Sequence, residues 1–593
     1  MSSTILTAPA PACHYRITIA DVHAHLFHVR LTIAEPLAEQ VLSLPVWIPG
    51  SYLVREFAKN LQNLRAHQAG RPVALQQQSK QRWQAACQTG QPLVLEYQVY
   101  ANDPSVRTAS LDAQRGFFNG TSLCLRAEGL TEQACLLDIV APGQLTEQAA
   151  WQCATALTPV QIDAHGFGCY QAADYDELAD SPVEMGAFWS ANFMAAGVPH
   201  RLVVAGATPA FDGQRLLQDT QRICETVIAF WHGTEPPPFQ NYVFLLNATA
   251  DGYGGLEHRH STALICARKD LPRLGQASTS EGYTTLLGLI SHEYFHTWNV
   301  KRLRPAEFAR YDYHQENYTQ LLWFFEGFTS YYDDLLLHRA GLIDDASYLK
   351  LLGKTIAQVQ QTPGRLLQTV AQASFDAWVK YYRQDENTPN ATISYYTKGA
   401  LVALCLDLTL RQEGQTSLDA VMQALWQRCA GGPMTEADVR AVLLQLAGRS
   451  LDAELDAWVH STAELPVAAL LAAHGMEAST EPAPIAQALG LRATDKNGIR
   501  VQGVLRGSLA ERAGLAAGDE WLGLEVQGQG WRLQQLADVP LYAGHATQVT
   551  ALVGRGDRLL RLALELPAAD AATTVGHWKI TDATRASQWL SGR

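Results

Sequence analysis

His292 and His296 stand four positions apart in the run Leu286-Leu-Gly-Leu-Ile-Ser-His-Glu-Tyr-Phe-His-Thr-Trp298, and no other feature of this sequence restricts its fold as much. Apolar side chains precede the pair and aromatic ones lie inside it. Leu286, Leu287 and Ile290 recur at helical spacing, so the segment reads as a largely buried helix. On a helix, positions i and i+4 share one face about one turn apart, so both imidazoles reach one point. Burying two imidazoles without a partner is unfavourable. A single zinc ion is the partner this spacing suits. Glu293 adjoins the first histidine, where its carboxylate takes a proton from water that a metal has made acidic. Ser278-x-x-Glu281 reads as a capping box that starts the helix.

A hydrolytic zinc needs a third protein ligand and an open position. Glu326 is an isolated carboxylate in the aromatic stretch Trp323-Phe-Phe-Glu-Gly-Phe-Thr-Ser-Tyr-Tyr-Asp333, where burial without a metal would be costly. Glu307 and Glu316 are rival ligands, but both sit in polar, loop-like sequence. Asp333 follows Glu326 by two helical turns on the same face and is read as hydrogen-bonding a ligand histidine. As the alternative, it is a helix-surface acid.

The chain of 593 residues exceeds what one hydrophobic core supports, so three or four domains are expected. Alternating apolar positions in Tyr15-Arg-Ile-Thr-Ile, in His25–Ile33 and in Leu93-Val-Leu-Glu-Tyr-Gln-Val-Tyr predict strands. Residues 1–182 therefore read as an antiparallel β-sandwich. Strand character continues through about 270, clearest at His200-Arg-Leu-Val-Val and Tyr242-Val-Phe-Leu-Leu. From about 280 to 478 the pattern turns helical, as in Ala400-Leu-Val-Ala-Leu-Cys-Leu-Asp-Leu and Leu451-Asp-Ala-Glu-Leu-Asp-Ala-Trp-Val. Residues 183–478 are thus the expected catalytic domain. Ser-Thr-Glu-Pro-Ala-Pro after 478 reads as a linker, 482–568 as a compact unit with a helical stretch at Leu509–Ala513, and 569–593 as a tail.

The formal charge of −13 argues against a nucleic-acid partner. No stretch approaches the roughly 20 apolar residues that span a bilayer. The start, MSSTILTAPAPACHYRITI, lacks the basic and apolar blocks of a signal peptide. Ten scattered cysteines form no C-x-x-C pair and read as reduced thiols of a cytoplasmic protein.

The stretch His292-Glu-Tyr-Phe-His-Thr-Trp-Asn-Val-Lys-Arg-Leu-Arg-Pro305 resembles the glycyl aminopeptidase family, numbered sixty-one among metallopeptidases, within the thermolysin-like gluzincins. So do Glu326-Gly-Phe-Thr-Ser-Tyr-Tyr-Asp333 and Trp47-Ile-Pro-Gly-Ser-Tyr-Leu-Val-Arg-Glu-Phe57. The resemblance implies a multidomain α+β chain with an N-terminal β-sandwich, a thermolysin-like zinc peptidase domain with a helical C-terminal part, and a PDZ-like domain. It implies one zinc ion and a preference for N-terminal glycine or alanine. Gly254-Gly255-Leu-Glu257-His258 resembles the exopeptidase motif Gly-x-Met-Glu-Asn of aminopeptidase N relatives, which would put Glu257 on the substrate's free α-amine. On sequence alone the same segment is a glycine-rich turn with Glu257 in solvent. Tyr396-Thr-Lys-Gly399 resembles the family's Tyr-x-Lys-Gly, which implies that Tyr396 donates a hydrogen bond to the oxyanion. Tyr395 is the competing assignment. The interval 326 − 296 = 30 is longer than in aminopeptidase N, and Phe325 stands where those relatives carry Asn. Lys301, Arg302 and Arg304 read as pairing with acids in the fold, with a substrate carboxylate as the alternative.

Gly507-Ser-Leu-Ala-Glu-Arg-Ala-Gly-Leu-Ala-Ala-Gly-Asp519 resembles a bacterial PDZ pattern, and Leu489-Gly-Leu491 is then the loop that receives a peptide's C-terminus. The sequence therefore points to a zinc metallo-aminopeptidase acting on peptides with a free N-terminus. Three other readings stand beside it: a zinc endopeptidase with the same metal site, a non-catalytic peptide-binding scaffold, and an epoxide hydrolase.

Overall fold

The computed structural model describes residues 11–143, 151–567 and 573–592. Residues 1–10, on which part of the targeting-segment reading falls, lie outside them. The chain forms two compact units: everything up to Tyr318 with Cys429–Met434, and Thr319–Arg428 with Thr435–Arg593.

The first unit begins with β-sheet, as alternation predicts. Cys13–Asp21 buries Cys13, Tyr15 and Ile17 and turns the residues between them outward. It pairs antiparallel with Leu26–Ile33 at the centre of an eight-stranded sheet. Two four-stranded sheets accompany it. The expectation of an antiparallel sandwich needs one correction: Cys13–Asp21 pairs in parallel with Cys135–Ile139, more than a hundred residues on.

The same unit carries a five-stranded sheet of β1 (Trp189–Ala195), β2 (Val198–Ala205), β3 (Tyr242–Thr249), β4 (Gly254–Glu257) and β5 (Ser261–Ala267), in the order β1-β2-β3-β5-β4. β2, β3 and β5 are parallel neighbours, and β4 turns back antiparallel as the edge. Val203, Leu245, Leu256 and Ala263 of this sheet share one hydrophobic core with the N-terminal strands. Between β2 and β3 runs α1 (Gly213–His232), where strand-like sequence was expected. Ile223, Cys224, Val227 and Ile228 give that stretch strand-like composition. Yet the buried set Leu216, Thr220, Ile223, Val227 and Trp231 follows helical spacing, and Asp212 caps the start by accepting from the Arg215 N–H.

Helix α2 (Glu281–Phe295) carries the histidine pair. Its N-cap is Ser280, which accepts from the Tyr283 N–H at 3.1 Å, and not the Ser278 capping box expected from the sequence. Ser280 wins because it immediately precedes the first helical residue.

In the second unit, α3 (Leu322–Phe325) and α4 (Gly327–Arg339) meet at Glu326, and both pack on α5 (Tyr395–Glu413). A Cβ at Gly327 would lie 2.5 Å from the Gly399 Cα, and one at Gly399 would lie 2.5 Å from the Trp323 carbonyl oxygen. Two glycines thus allow the backbones to touch at this crossing. The predicted helical stretches appear within α5 and as Asp452–Trp458. Beyond them a six-stranded sheet built from Leu491–Thr494, Ile499–Val504, Glu520–Val526, Gln529–Arg532, Gln548–Arg555 and Arg558–Glu565 encloses its own core of Trp521, Leu524 and Val553. The helix Leu509–Ala513 lies where it was expected.

The linker expectation is corrected. Met476–Pro482 is a strand paired antiparallel with Thr573–Ile580, so part of the segment read as a tail closes a sheet. Its last helix, Ala583–Leu590, buries Trp589, whose indole N–H donates to the Tyr331 hydroxyl at 2.8 Å. Among the described residues no helix is long and apolar enough to cross a membrane.

Candidate active site

Helix α2 presents both histidines toward the same point, with their Nε2 atoms 3.0 Å apart. His296 is 1% exposed, and its Nδ1–H donates to the Asn299 carbonyl at 2.8 Å. That bond fixes the ring and leaves the Nε2 lone pair directed at a ligand. The ligand atoms of His292, His296 and Glu326 all lie within 4.8 Å of one another. Two nitrogens bound to a tetrahedral zinc at 2.0–2.1 Å stand about 3.3 Å apart, so the donor set and its spacing fit that ion. Glu326 is 2% exposed and sits at the junction of α3 and α4, flanked by Phe325 and Phe328, which are also buried. The rivals lie elsewhere: Glu307 is exposed, Glu316 is half-buried, and neither belongs to this group.

Two residues that sequence reasoning passed over hold the helix. Tyr294 donates its hydroxyl to His200 Nε2 at 2.8 Å, while His200 Nδ1–H donates to the Val198 carbonyl at 2.9 Å. Burial pushes the His200 imidazolium pKa down to about 4, so the ring is neutral and can accept from the tyrosine. The Trp298 indole N–H donates to His232 Nε2 at 2.7 Å. The one available signal was a lone histidine in the apolar strand Val198–Ala205. After the helix the chain turns sharply: Val300 adopts φ 127° while buried. For a β-branched residue this costs about 1–3 kcal/mol, and packing around the turn must hold it.

Strand β4 supplies the next elements. The His258 N–H donates to the Ser261 carbonyl, and alternation along an antiparallel pair then turns the N–H and C=O groups of Gly255 and Glu257 to the free edge. The carboxylate of Glu293 lies directly on Gly255, where any Cβ would collide with it. The carboxylate of Glu257 lies on Gly50, at the apex of the Pro49-Gly-Ser turn. Glu257 is 4% exposed, which corrects the alternative that it sits in a solvated turn. The next residue, His258, places Nδ1 3.1 Å from Asp180, which also accepts from Lys301 Nζ at 2.7 Å and from the Arg259 N–H at 2.8 Å. Burial opposes the charge on Asp180, but Lys301 and His258 outweigh it and hold the carboxyl well below its usual range. Burial likewise opposes the charge on Lys301, and Asp180, Tyr311 and Glu257 raise its pKa. Among the described residues, Lys301 alone of the three basic residues after the helix forms an ion pair with an acid. Arg302 donates to the carbonyls of Thr297 and Arg259, and Arg304 to those of Lys301 and Phe308.

Tyr396 stands in the first turn of α5, half-buried among Tyr381 and Tyr395. Burial, then the charge of Glu326, push its hydroxyl pKa well up, so it stays protonated and able to donate. Tyr381, not singled out by the sequence, is raised by burial and by Glu326 as well. Asp333 is half-buried on α4 and accepts from the Asp334 N–H at 2.6 Å.

Two families match. The one described as Peptidase M61 N-terminal domain covers residues 14–187, and the one described as M61 glycyl aminopeptidase covers 285–402. The crystal structure of an aminopeptidase N family protein from Idiomarina loihiensis is 38% identical, with a TM-score of 0.91, over 98% of this chain and 100% of that one. An M1 zinc metallopeptidase from Deinococcus radiodurans is 16% identical at a TM-score of 0.47, over 77% of this chain and 94% of that one. Comparison with curated proteins gives no match.

Proposed function

This chain belongs to the M61 glycyl aminopeptidase family, and from that premise we propose that it is a zinc-dependent aminopeptidase removing N-terminal residues, glycine or alanine by preference, from unblocked peptides. In this reading His292, His296 and Glu326 hold one zinc ion, with Asp333 hydrogen-bonding a ligand histidine. The observation that carries the exopeptidase assignment is the arrangement on β4: Glu293 lies on Gly255, and Glu257 follows two residues along the same free edge.

A bound peptide runs antiparallel to β4, passing Gly255 and then Gly254, with its backbone against the outward groups of Gly255. Glu257 receives the α-ammonium in a charge-assisted hydrogen bond. The first carbonyl carbon is only about 2.5 Å from that nitrogen, so anchoring the amine brings the first peptide bond toward Gly255 and Glu293. Zinc, when bound, supplies Lewis acidity, lowering the pKa of water to about 7 and polarising the scissile carbonyl. Glu293 accepts the proton of the attacking water and passes it to the leaving amine. Tyr396 donates its O–H to the developing oxyanion. The sheet at 482–568 is assigned as a PDZ-like unit, with Leu491–Thr494 as the edge strand that a peptide C-terminus would extend.

The test is hydrolysis of one glycine-led peptide, N-terminus free and then acetylated, with and without a chelator. Release of glycine from the free form alone, abolished by the chelator, is expected. Equal cleavage of both forms would overturn the role of Glu257 and indicate an endopeptidase.

A further inference from the structure

Arg107 lies beside the edge strand β4, and among the described residues no acid pairs with it. It comes from the N-terminal sheet region, in the loop before Ala109–Leu111. Its Nη2 donates to the outward carbonyl of Gly255 at 3.3 Å, and its Nη1 would stand 3.7 Å from a Cβ at Gly254. That carbonyl is the only acceptor its side chain meets among the described residues, and its Nε is buried without a partner. A guanidinium offers five donors in a planar fork that matches a carboxylate bidentately. A fork held half-buried at a strand edge, mostly unused, is arranged for an anion that arrives with a ligand.

The order of groups along the strand says which anion. Glu257 lies at one end, Gly255 with the Glu293 carboxylate follows, and Gly254 with Arg107 lies beyond. Glu257 to Gly254 is three residues, about 10 Å at the rise of a strand. An extended peptide of two or three residues spans about 6–10 Å from amine nitrogen to terminal carboxylate. A peptide that places its ammonium on Glu257 therefore brings its C-terminal carboxylate within reach of Arg107. We infer that Arg107 is a specificity-determining residue that recognises the free C-terminal carboxylate of di- and tripeptides and makes this chain a short-peptide enzyme. The inference rests on the proposed aminopeptidase function, because it takes Glu257 as the amine site.

The experiment compares Gly-Ala-Ala with its C-terminal amide, in the zinc-loaded wild type and in Arg107→Met and Arg107→Lys. A charge-assisted bidentate pair is worth roughly 10- to 100-fold. Wild type should cleave the acid at least about 10-fold better than the amide, chiefly through KM. Arg107→Met should bring the ratio of acid to amide cleavage down to about one, and Arg107→Lys should restore part of the difference. Equal cleavage of acid and amide by wild type would overturn the inference, and that measurement needs no variant. An equal loss on both substrates in Arg107→Met would also overturn it, marking Arg107 as a prop for the Gly255 carbonyl. Failure of the aminopeptidase reading appears separately, as cleavage of N-acetylated peptide.

Discussion

Replacing Gly50 by alanine tests how closely the amine site is built. Gly50 has φ +92°, and an alanine Cβ there would stand 2.5 Å from both carboxylate oxygens of Glu257 and 2.7 Å from its Cδ. Ordinary contact begins at 3.4 Å, so the carboxylate must withdraw by 3.4 − 2.5 = 0.9 Å. Misplacing a binding group by about 1 Å costs on the order of 100-fold. The left-handed backbone adds about 1–2 kcal/mol of strain. Gly90 separates the two effects, since it has φ +75° and nothing within 4 Å of its Cβ position. Gly50→Ala and Gly90→Ala should therefore lower the thermal midpoint by similar amounts. Only Gly50→Ala should lose about 100-fold in kcat/KM on a free glycine-led peptide, mostly through KM. If Gly50→Ala binds the free peptide as wild type does, Glu257 does not hold the amine and the reasoning fails.

Glu293→Gln should lower kcat by about 10²- to 10⁴-fold, yet keep its metal as measured by elemental analysis, because Glu293 is assigned as a base and not a ligand. Chelation should abolish hydrolysis and lower the thermal midpoint, with zinc restoring both; activity that survives metal-free preparation would refute the metal site. His200 makes stability depend on pH. The unfolded imidazole binds a proton near pH 6.5 and the folded one only near pH 4. Between those values the unfolded chain holds more protons, so stability is complete above pH 6.5 and falls by about 3 kcal/mol as the pH drops toward 4. His200→Asn should flatten that part of the profile of thermal midpoint against pH.

Local pattern made much of this chain legible. The helix of His292 and His296 announces itself by apolar spacing, and the isolated Glu326 by its aromatic neighbours, because both signals lie within a few turns. Alternation likewise gives the strand around Tyr15, and a continuous apolar run gives the buried strand around Tyr242. What was hidden depends on distant contacts. The Pro-Gly-Ser turn at 49–51 could be read, but not that Gly50 meets a carboxylate 257 − 50 = 207 residues away. His200 and Tyr294 are 94 positions apart, and nothing local in either segment advertises the other. Met476–Pro482 looks like a linker by its Ser, Thr and Pro content, and becomes a strand only because Thr573–Ile580 returns to pair with it. In α1, β-branched residues imitate a strand while burial follows a helix.

Strand β4 also bears on self-association. An open sheet edge is a template for pairing with another chain, and proteins commonly guard it with proline, lysine or a covering segment. Proline or lysine within β4 would also repel the peptide that the proposed reaction needs. A strand of four residues resolves the conflict by brevity: its outward backbone groups lie at only two positions, and one of those carbonyls is already bonded to Arg107. Such an edge can receive a few residues of an incoming chain but offers too little length to nucleate an aggregate of the protein itself.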